Sequence, residues 1–198
     1  MGYYIRVLGT NLNEIPLEVL RASASPALIE AETADGEAWE SVILRHPDGI
    51  EIAQIERNPV EEGELGAEEL QEFVEDVPHY QPQSAARWLV DYFSRAKVIY
   101  TFQVLSGTDT GDGWSRLHAV YNTVWKAAGG ILQADGEGFS NEAGNTILWQ
   151  FGESAAGLWS VGVLTDGSWT HFEIDLANAE HREKFQQGLV PPGVRHLS

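Results

Sequence analysis

Two carboxylates beside a tight turn have the spacing that could support chemistry. Asp135 and Glu137 lie within residues 134–139, and a near copy of that stretch at residues 34–39 contains Glu37. Glycoside hydrolysis needs two carboxyl groups about 5–10 Å apart across a cleft. Glu137 and Glu37 would form such a pair if the fold brings the two turns together. Alternatively, both are hairpin residues without a catalytic role.

His118 and Trp114 complete the catalytic alternative with Asp135 and Glu137. In that interpretation the protein is a hydrolase or a small-ligand-binding protein with a pocket between two halves of the chain. Trp114 also lies on an apolar helical stripe, as does Trp125, and a stripe of this kind favours a place in the core.

Other reactive motifs are missing from the sequence. No Gly-x-Ser-x-Gly elbow occurs, and the glycine-rich residues 107–113 lack the Lys-Ser or Lys-Thr of a phosphate loop. There is no cysteine, and the six histidines are scattered. His171 and Glu173 could share one strand face as metal ligands, but a solvated face is the more common arrangement. Acidic oxygens could instead hold calcium, the candidates being Asp109, Asp112, Asp135, Glu137 and Glu142. We expect no metal, no cofactor and no enzymatic activity.

Negative charge is concentrated in one stretch of the chain. The formal net charge is −18, and residues 30–76 hold sixteen of the thirty carboxylates with only Arg45 and Arg57 as bases. Such a surface repels nucleic acid and anionic lipid and attracts a basic protein. Alternatively, the acidic surface serves solubility alone.

The leading hypothesis is an acidic interaction protein, such as an immunity-type inhibitor of a basic toxin protein. The carboxylates expected to bind the partner are Glu61, Glu62, Glu64, Glu68, Glu69 and Glu72. Residues 1–6 show no signal-peptide pattern, and no apolar run approaches the ~20 residues of a membrane helix. These features favour a cytoplasmic protein. An exposed apolar sheet face would favour a homo-oligomer.

Hydrophobic periodicity predicts an α+β fold of antiparallel meanders with interspersed helices. The expected strands are residues 3–8, 27–33, 37–45, 50–55, 98–105, 131–134, 137–140, 146–151, 158–164 and 168–174. The expected helices are residues 14–21, 65–76, 84–97, 114–128 and 178–188. Asp112 is the expected N-cap of helix 114–128, Gly129 its C-cap, and the residues after 193 a loose tail.

The chain divides by pattern into three parts of one compact domain. Residues 1–60 form a first β-α-β-β-β half, residues 61–97 a helical connector, and residues 98–198 a second half with a closing helix. Similar segments recur in the same order about one hundred residues apart. This recurrence leads to the hypothesis of an internal duplication, with recurrent turn chemistry as the alternative.

Overall fold

Residues 2–31 and 38–197 are described by the computed structural model. Contacts group the chain into two compact units. The first unit contains Met1–Glu68 and Ala96–Gly130, and the second contains Glu69–Arg95 and Ile131–Ser198. Each unit therefore combines two separate segments of the chain. Residues 98–130, which were expected to begin the second half, are in the same unit as the N-terminal segment.

The secondary structure is of the predicted α+β class. The strands are β1 Tyr3–Gly9, β2 Leu28–Ala31, β3 Ser41–Arg45, β4 Glu51–Pro59, β5 Val98–Val104, β6 Gly130–Ala134, β7 Gly138–Ser140, β8 Leu158–Thr165, β9 Ser168–Asp175 and β10 Arg195–His196. The helices are α1 Leu17–Ala24, α2 Leu65–Asp76, α3 Gln83–Phe93, α4 Gly113–Ala128 and α5 Ala179–Gln186. None of the helices within residues 2–31 and 38–197 has the length and apolar character needed to cross a membrane.

The first unit contains five antiparallel strands in the order β2-β3-β4-β5-β1, with α4 packed on the sheet. Val42, Ile55, Phe102 and Ile5 are register neighbours on four successive strands, and all four are buried. Because side chains alternate between the two faces of a strand, the residues between them face the other way. Polar or half-buried side chains such as Gln54 occupy that outer face.

The second unit contains the β6–β7 hairpin and a three-stranded antiparallel sheet in the order β10-β9-β8. Val161 and Phe172 are register partners in this sheet and are fully buried. They pack in one cluster with Ile174 of β9 and Phe185 of α5. Because side chains alternate between the two faces of β8 and β9, one face of this sheet is apolar, and helix α5 covers it.

Several local predictions are confirmed. Helix α2 has the expected bounds, and Gly129 ends α4 in the left-handed conformation with its N–H donated to the Trp125 carbonyl oxygen. The hairpin at Asp166 and Gly167 has positive φ at both residues, as a two-residue turn requires. Asp112 stands at the N-cap position of α4, but its side chain makes no capping hydrogen bond. That part of the prediction is wrong, because the carboxylate pairs with Arg116 instead.

Three other predictions are wrong. Residues 146–151 form isolated bridges rather than a strand, because the N–H of Ile147 donates to Phe139 and the N–H of Trp149 to Gln81, so no single strand pairs with them. The expected loose tail pairs with β9 through β10. Trp114 is 40% exposed rather than part of the core.

The hypothesis of an internal duplication remains a prediction. The first Asp-Gly turn, at Asp35 and Gly36, and the candidate Glu37 lie outside the described residues. The second turn is present, because the N–H of Glu137 donates to the Ala134 carbonyl oxygen and Gly136 has positive φ.

Candidate functional site

An open groove in the first unit is the main candidate site. Strands β2, β3 and β4 and the start of α2 line it, and it encloses about 830 Å³. Its glutamates are Glu30, Glu40, Glu56, Glu61 and Glu64. We call this feature the acidic groove. Arg45 and Arg57 line it as well.

Strand register explains how Glu56 is placed in the acidic groove. Ser41 of β3 is the register partner of Glu56 of β4, and Ile43 is the partner of Gln54. Gln54 donates a 2.9 Å hydrogen bond from Nε2 to Oε1 of Glu56. The carboxylate is therefore held on the outer face of the sheet by its own strand neighbour.

The charges in the acidic groove are only partly balanced. Arg45 donates 2.7 Å hydrogen bonds to Glu30 and to Glu51, so its positive charge is neutralised locally. Arg57 donates from Nη2 to the carbonyl oxygen of Leu12 at 3.1 Å, which neutralises no charge. Five carboxylates against two guanidinium groups leave this part of the surface negative.

Two of the glutamates expected to bind a partner lie in the acidic groove. They are Glu61 and Glu64. Glu62 and Glu68 are exposed in the first unit but do not line the groove. The list of six is completed by Glu69 and Glu72, which belong to the part of α2 in the second unit. The six glutamates are close in sequence, but they do not all lie at one site.

The residues of the catalytic alternative are divided between the units. Asp135 and Glu137 are half-buried in the β6–β7 turn of the second unit. Trp114 and His118 lie one turn apart on α4 of the first unit, with ring centroids separated by 5.9 Å. Both of these rings belong to exposed residues, so His118 has no enclosed pocket around it.

A buried histidine that is not among the predicted site residues holds a loop of the first unit. His46 is 8% exposed, and its Nε2 lies 2.9 Å from the carbonyl oxygen of Gly107 and 3.1 Å from Oγ1 of Thr110. Since a carbonyl oxygen can only accept, Nε2 carries the proton. Thr110 donates its own hydroxyl proton to the same carbonyl. His46 in this state cannot remove a proton from Thr110, so the cluster is structural rather than a nucleophile–base pair.

Asp112 completes this cluster from the other side of the imidazole. Its Oδ1 lies 4.0 Å from Nδ1 of His46, and its carboxylate is bound by the guanidinium of Arg116. The hydrogen bonds from Arg116 lower the pKa of Asp112, and the nearby His46 adds to that effect. His46 directly precedes Pro-Asp-Gly in the sequence, which indicates a turn at this position. No neighbouring residue indicates that the histidine binds the carbonyl oxygen of Gly107.

A second buried polar cluster lies in the second unit. Asn141 is 1% exposed, and its Oδ1 accepts the N–H groups of Ala143 and Asn145 at 3.1 Å each. Its Nδ2 therefore faces Nε2 of His171, 2.9 Å away, which makes that ring nitrogen the acceptor. Glu173 pairs with Arg195 at 3.1 Å. Both members of the sequence-derived metal pair are thus engaged with other side chains.

Within the described ranges, no group of three or more His, Asp or Glu side chains is arranged to hold a metal ion. Comparison of the chain with protein-family models, with curated proteins and with solved structures finds no significant match.

Proposed function

We propose that this protein is an acidic interaction protein of the cytoplasm that binds a basic protein through the acidic groove. Inhibition of a cationic toxin protein, as an immunity-type inhibitor, is a role that fits. The observation that carries the proposal is the convergence of Glu30, Glu40, Glu56, Glu61 and Glu64 on one groove of about 830 Å³.

Electrostatics supports a basic partner over an acidic one. The groove lies within the stretch of the chain that holds most of its excess negative charge. Such a field accelerates the encounter with a cationic surface and repels polyanions. Exposed charges are screened at physiological salt over about 8 Å. Binding through this surface should therefore weaken as ionic strength rises.

Calorimetric titration with a capped pentalysine peptide tests the proposal. The double variant Glu56→Gln/Glu64→Gln should bind the peptide less tightly, by about tenfold, because it removes two carboxylates of the groove. The matched control is Glu153→Gln/Glu180→Gln, which removes two exposed carboxylates of the second unit. This control has the same net charge as the groove variant. Equal losses in both variants, or affinity that does not depend on salt, would contradict the proposal.

The alternative function is a hydrolase or a small-ligand-binding protein. One observation favours a small ligand: the volume of the acidic groove falls in the range of about 300–1,000 Å³ that is typical of small-molecule sites. Titration with spermine, a small polyamine, tests this alternative in the same instrument. Self-association, the third possibility drawn from the sequence, is measured by light scattering of the same samples.

A further inference from the structure

A small crevice lies along helix α3 of the second unit and shares no lining residue with the acidic groove. It encloses about 260 Å³, and we call it the α3 crevice. Its lining residues are Pro78, Gln83, Ala86, Arg87, Val90 and Asp91. The volume is below the range of about 300–1,000 Å³ that is typical of sites for drug-sized ligands, so the crevice suits a smaller molecule.

Part of the lining is apolar. Ala86 is 1% exposed, and Val90, one turn further along α3, is half-buried. Pro78, in the turn before α3, adds a third apolar side chain. An aliphatic group that enters the crevice exchanges water for this lining, and that exchange is favourable.

Two opposite charges border the apolar lining. Arg87 and Asp91 are both exposed and occupy positions i and i+4 of α3, so their Cβ atoms are about 5–6 Å apart on one side of the helix. Within residues 2–31 and 38–197, neither side chain has an ion-pair or hydrogen-bond partner. The guanidinium and the carboxylate are therefore both available to a ligand.

Gln83 adds an acceptor whose orientation is fixed. Its Nε2 donates to the carbonyl oxygens of Pro78 at 3.1 Å and of Tyr80 at 3.0 Å. Since carbonyl oxygens only accept, these two bonds determine which end of the amide is the donor. Oε1 has no partner in the part of the chain that the structure describes, and it can accept from an ammonium group.

These groups match the charges of a free α-amino acid, whose ammonium, carboxylate and side chain all leave one carbon atom. A guanidinium binds a carboxylate through two parallel hydrogen bonds. We propose that the α3 crevice binds a free aliphatic amino acid. Its carboxylate pairs with Arg87, its ammonium with Asp91 and Gln83, and its side chain packs against Ala86 and Val90. A peptide terminus carries only one of the two charges. The proposal is independent of the acidic groove.

Nuclear magnetic resonance titration of the wild-type protein with three probes tests the proposal. L-Leucine carries both charges, N-acetyl-leucine has no ammonium, and leucinamide has no carboxylate. Leucine should produce saturating shifts of the amide signals of Ala86 and Val90. Each blocked analogue should bind about threefold to tenfold more weakly, because each lacks one charge pair with the protein.

Two variants assign the charges to their partners. Arg87→Gln should weaken the binding of leucine and of N-acetyl-leucine but leave leucinamide unaffected. Asp91→Asn should weaken leucine and leucinamide but leave N-acetyl-leucine unaffected. The matched controls are Arg95→Gln and Glu180→Gln, at exposed residues of the second unit, and both should bind leucine as the wild type does.

Several outcomes would overturn the proposal. One is the absence of saturating shifts with leucine. Another is N-acetyl-leucine binding as tightly as leucine, which would make the ligand a peptide carboxyl terminus. Leucinamide binding as tightly as leucine, or Arg87→Gln and Asp91→Asn binding leucine as the wild type does, would also contradict it. The comparison of the three probes uses wild-type protein alone, so it decides the question even if a variant fails to fold.

Discussion

The imidazole of His46 donates from Nε2 to the carbonyl oxygen of Gly107, a residue sixty-one positions later, at 2.9 Å. This bond joins the turn after β3 to the loop before α4. Gly113, at the end of that loop, begins α4 so close to Gly107 and Thr108 that a Cβ atom there would collide with their backbone. The loop is therefore positioned by the buried side chain of His46 and by the close approach that Gly113 allows because it has no side chain.

Replacing His46 should destabilise the first unit. His46→Ala removes a buried donor and leaves a cavity, so we expect the free energy of unfolding to fall by about 2–4 kcal/mol. Urea denaturation followed by circular dichroism measures the change. His79→Ala, at an exposed histidine, is the control and should lie within about 0.5 kcal/mol of the wild type. Similar values for the two variants would show that the His46 bond contributes little.

Replacing Asn141 should destabilise the second unit. Asn141→Ala leaves the N–H groups of Ala143 and Asn145 without their acceptor, and we expect a loss of about 1–3 kcal/mol in the free energy of unfolding. Asn141→Asp keeps acceptor oxygens but loses the amide donor to His171, which tests that bond separately. Asn122→Ala, on the exposed face of α4, serves as the control. A neutral Asn141→Ala variant would contradict the assigned role.

Tyr92 should make the protein sensitive to alkali. Its side chain is 1% exposed, and burial, with a smaller contribution from the charge of Glu142, raises its pKa from 10.0 to about 12. Between these two values the unfolded chain loses the proton while the folded protein keeps it, so stability present below pH 10 is lost as the pH rises. The loss amounts to about 2 kcal/mol at pH 12.

Denaturation titrations between pH 9 and about 12 test this expectation. The variant Tyr92→Phe has no titrating hydroxyl at this position, and its free energy of unfolding should fall less steeply with pH. Some slope should persist, because burial also raises the pKa of Tyr100. Identical slopes in wild type and variant would rule out Tyr92 as the source.

Two pairs of glutamates of the acidic stretch should differ in their effect on binding. Glu61→Gln/Glu64→Gln changes the acidic groove, whereas Glu69→Gln/Glu72→Gln changes the part of α2 in the second unit. Both variants remove two negative charges. If the groove is the site, only the first pair should weaken pentalysine binding, by several-fold in calorimetry at low salt. Equal weakening would mean that diffuse charge rather than the groove attracts the peptide.

Two tryptophans should contribute very differently to stability. Trp39 is fully buried and donates from Nε1 to the carbonyl oxygen of Ile15 at 2.7 Å, so Trp39→Ala should cost about 3–5 kcal/mol. Trp114 is 40% exposed, and Trp114→Ala should cost about 1 kcal/mol. Chemical denaturation of the two variants compares them directly. Equal losses in the free energy of unfolding would indicate that Trp114 belongs to the core, as the sequence pattern predicted.

Structural features that depend on a few neighbouring residues were predictable from the sequence. The bounds of α2 follow from its apolar stripe and from the break at Pro78. The end of α4 follows from Gly129, and the β8–β9 turn from Asp166 and Gly167, because these conformations favour glycine, or aspartate, at positive φ. The α+β class then follows from the order of such elements. In each case the cause and its effect lie within one turn of chain.

The candidate site depended on contacts that the sequence does not encode locally. The charge of residues 30–76 was visible, but only the tertiary structure decided that Glu61 and Glu64 line the groove with Glu30 and Glu56 while other glutamates do not. The same holds for the His46 bond and for the mixed pairing of residues 146–151, whose partners are distant in the chain. Charge, propensity and turns act over a few residues, whereas burial and hydrogen-bond pairing are settled only when remote segments compete for the same space and the same donors.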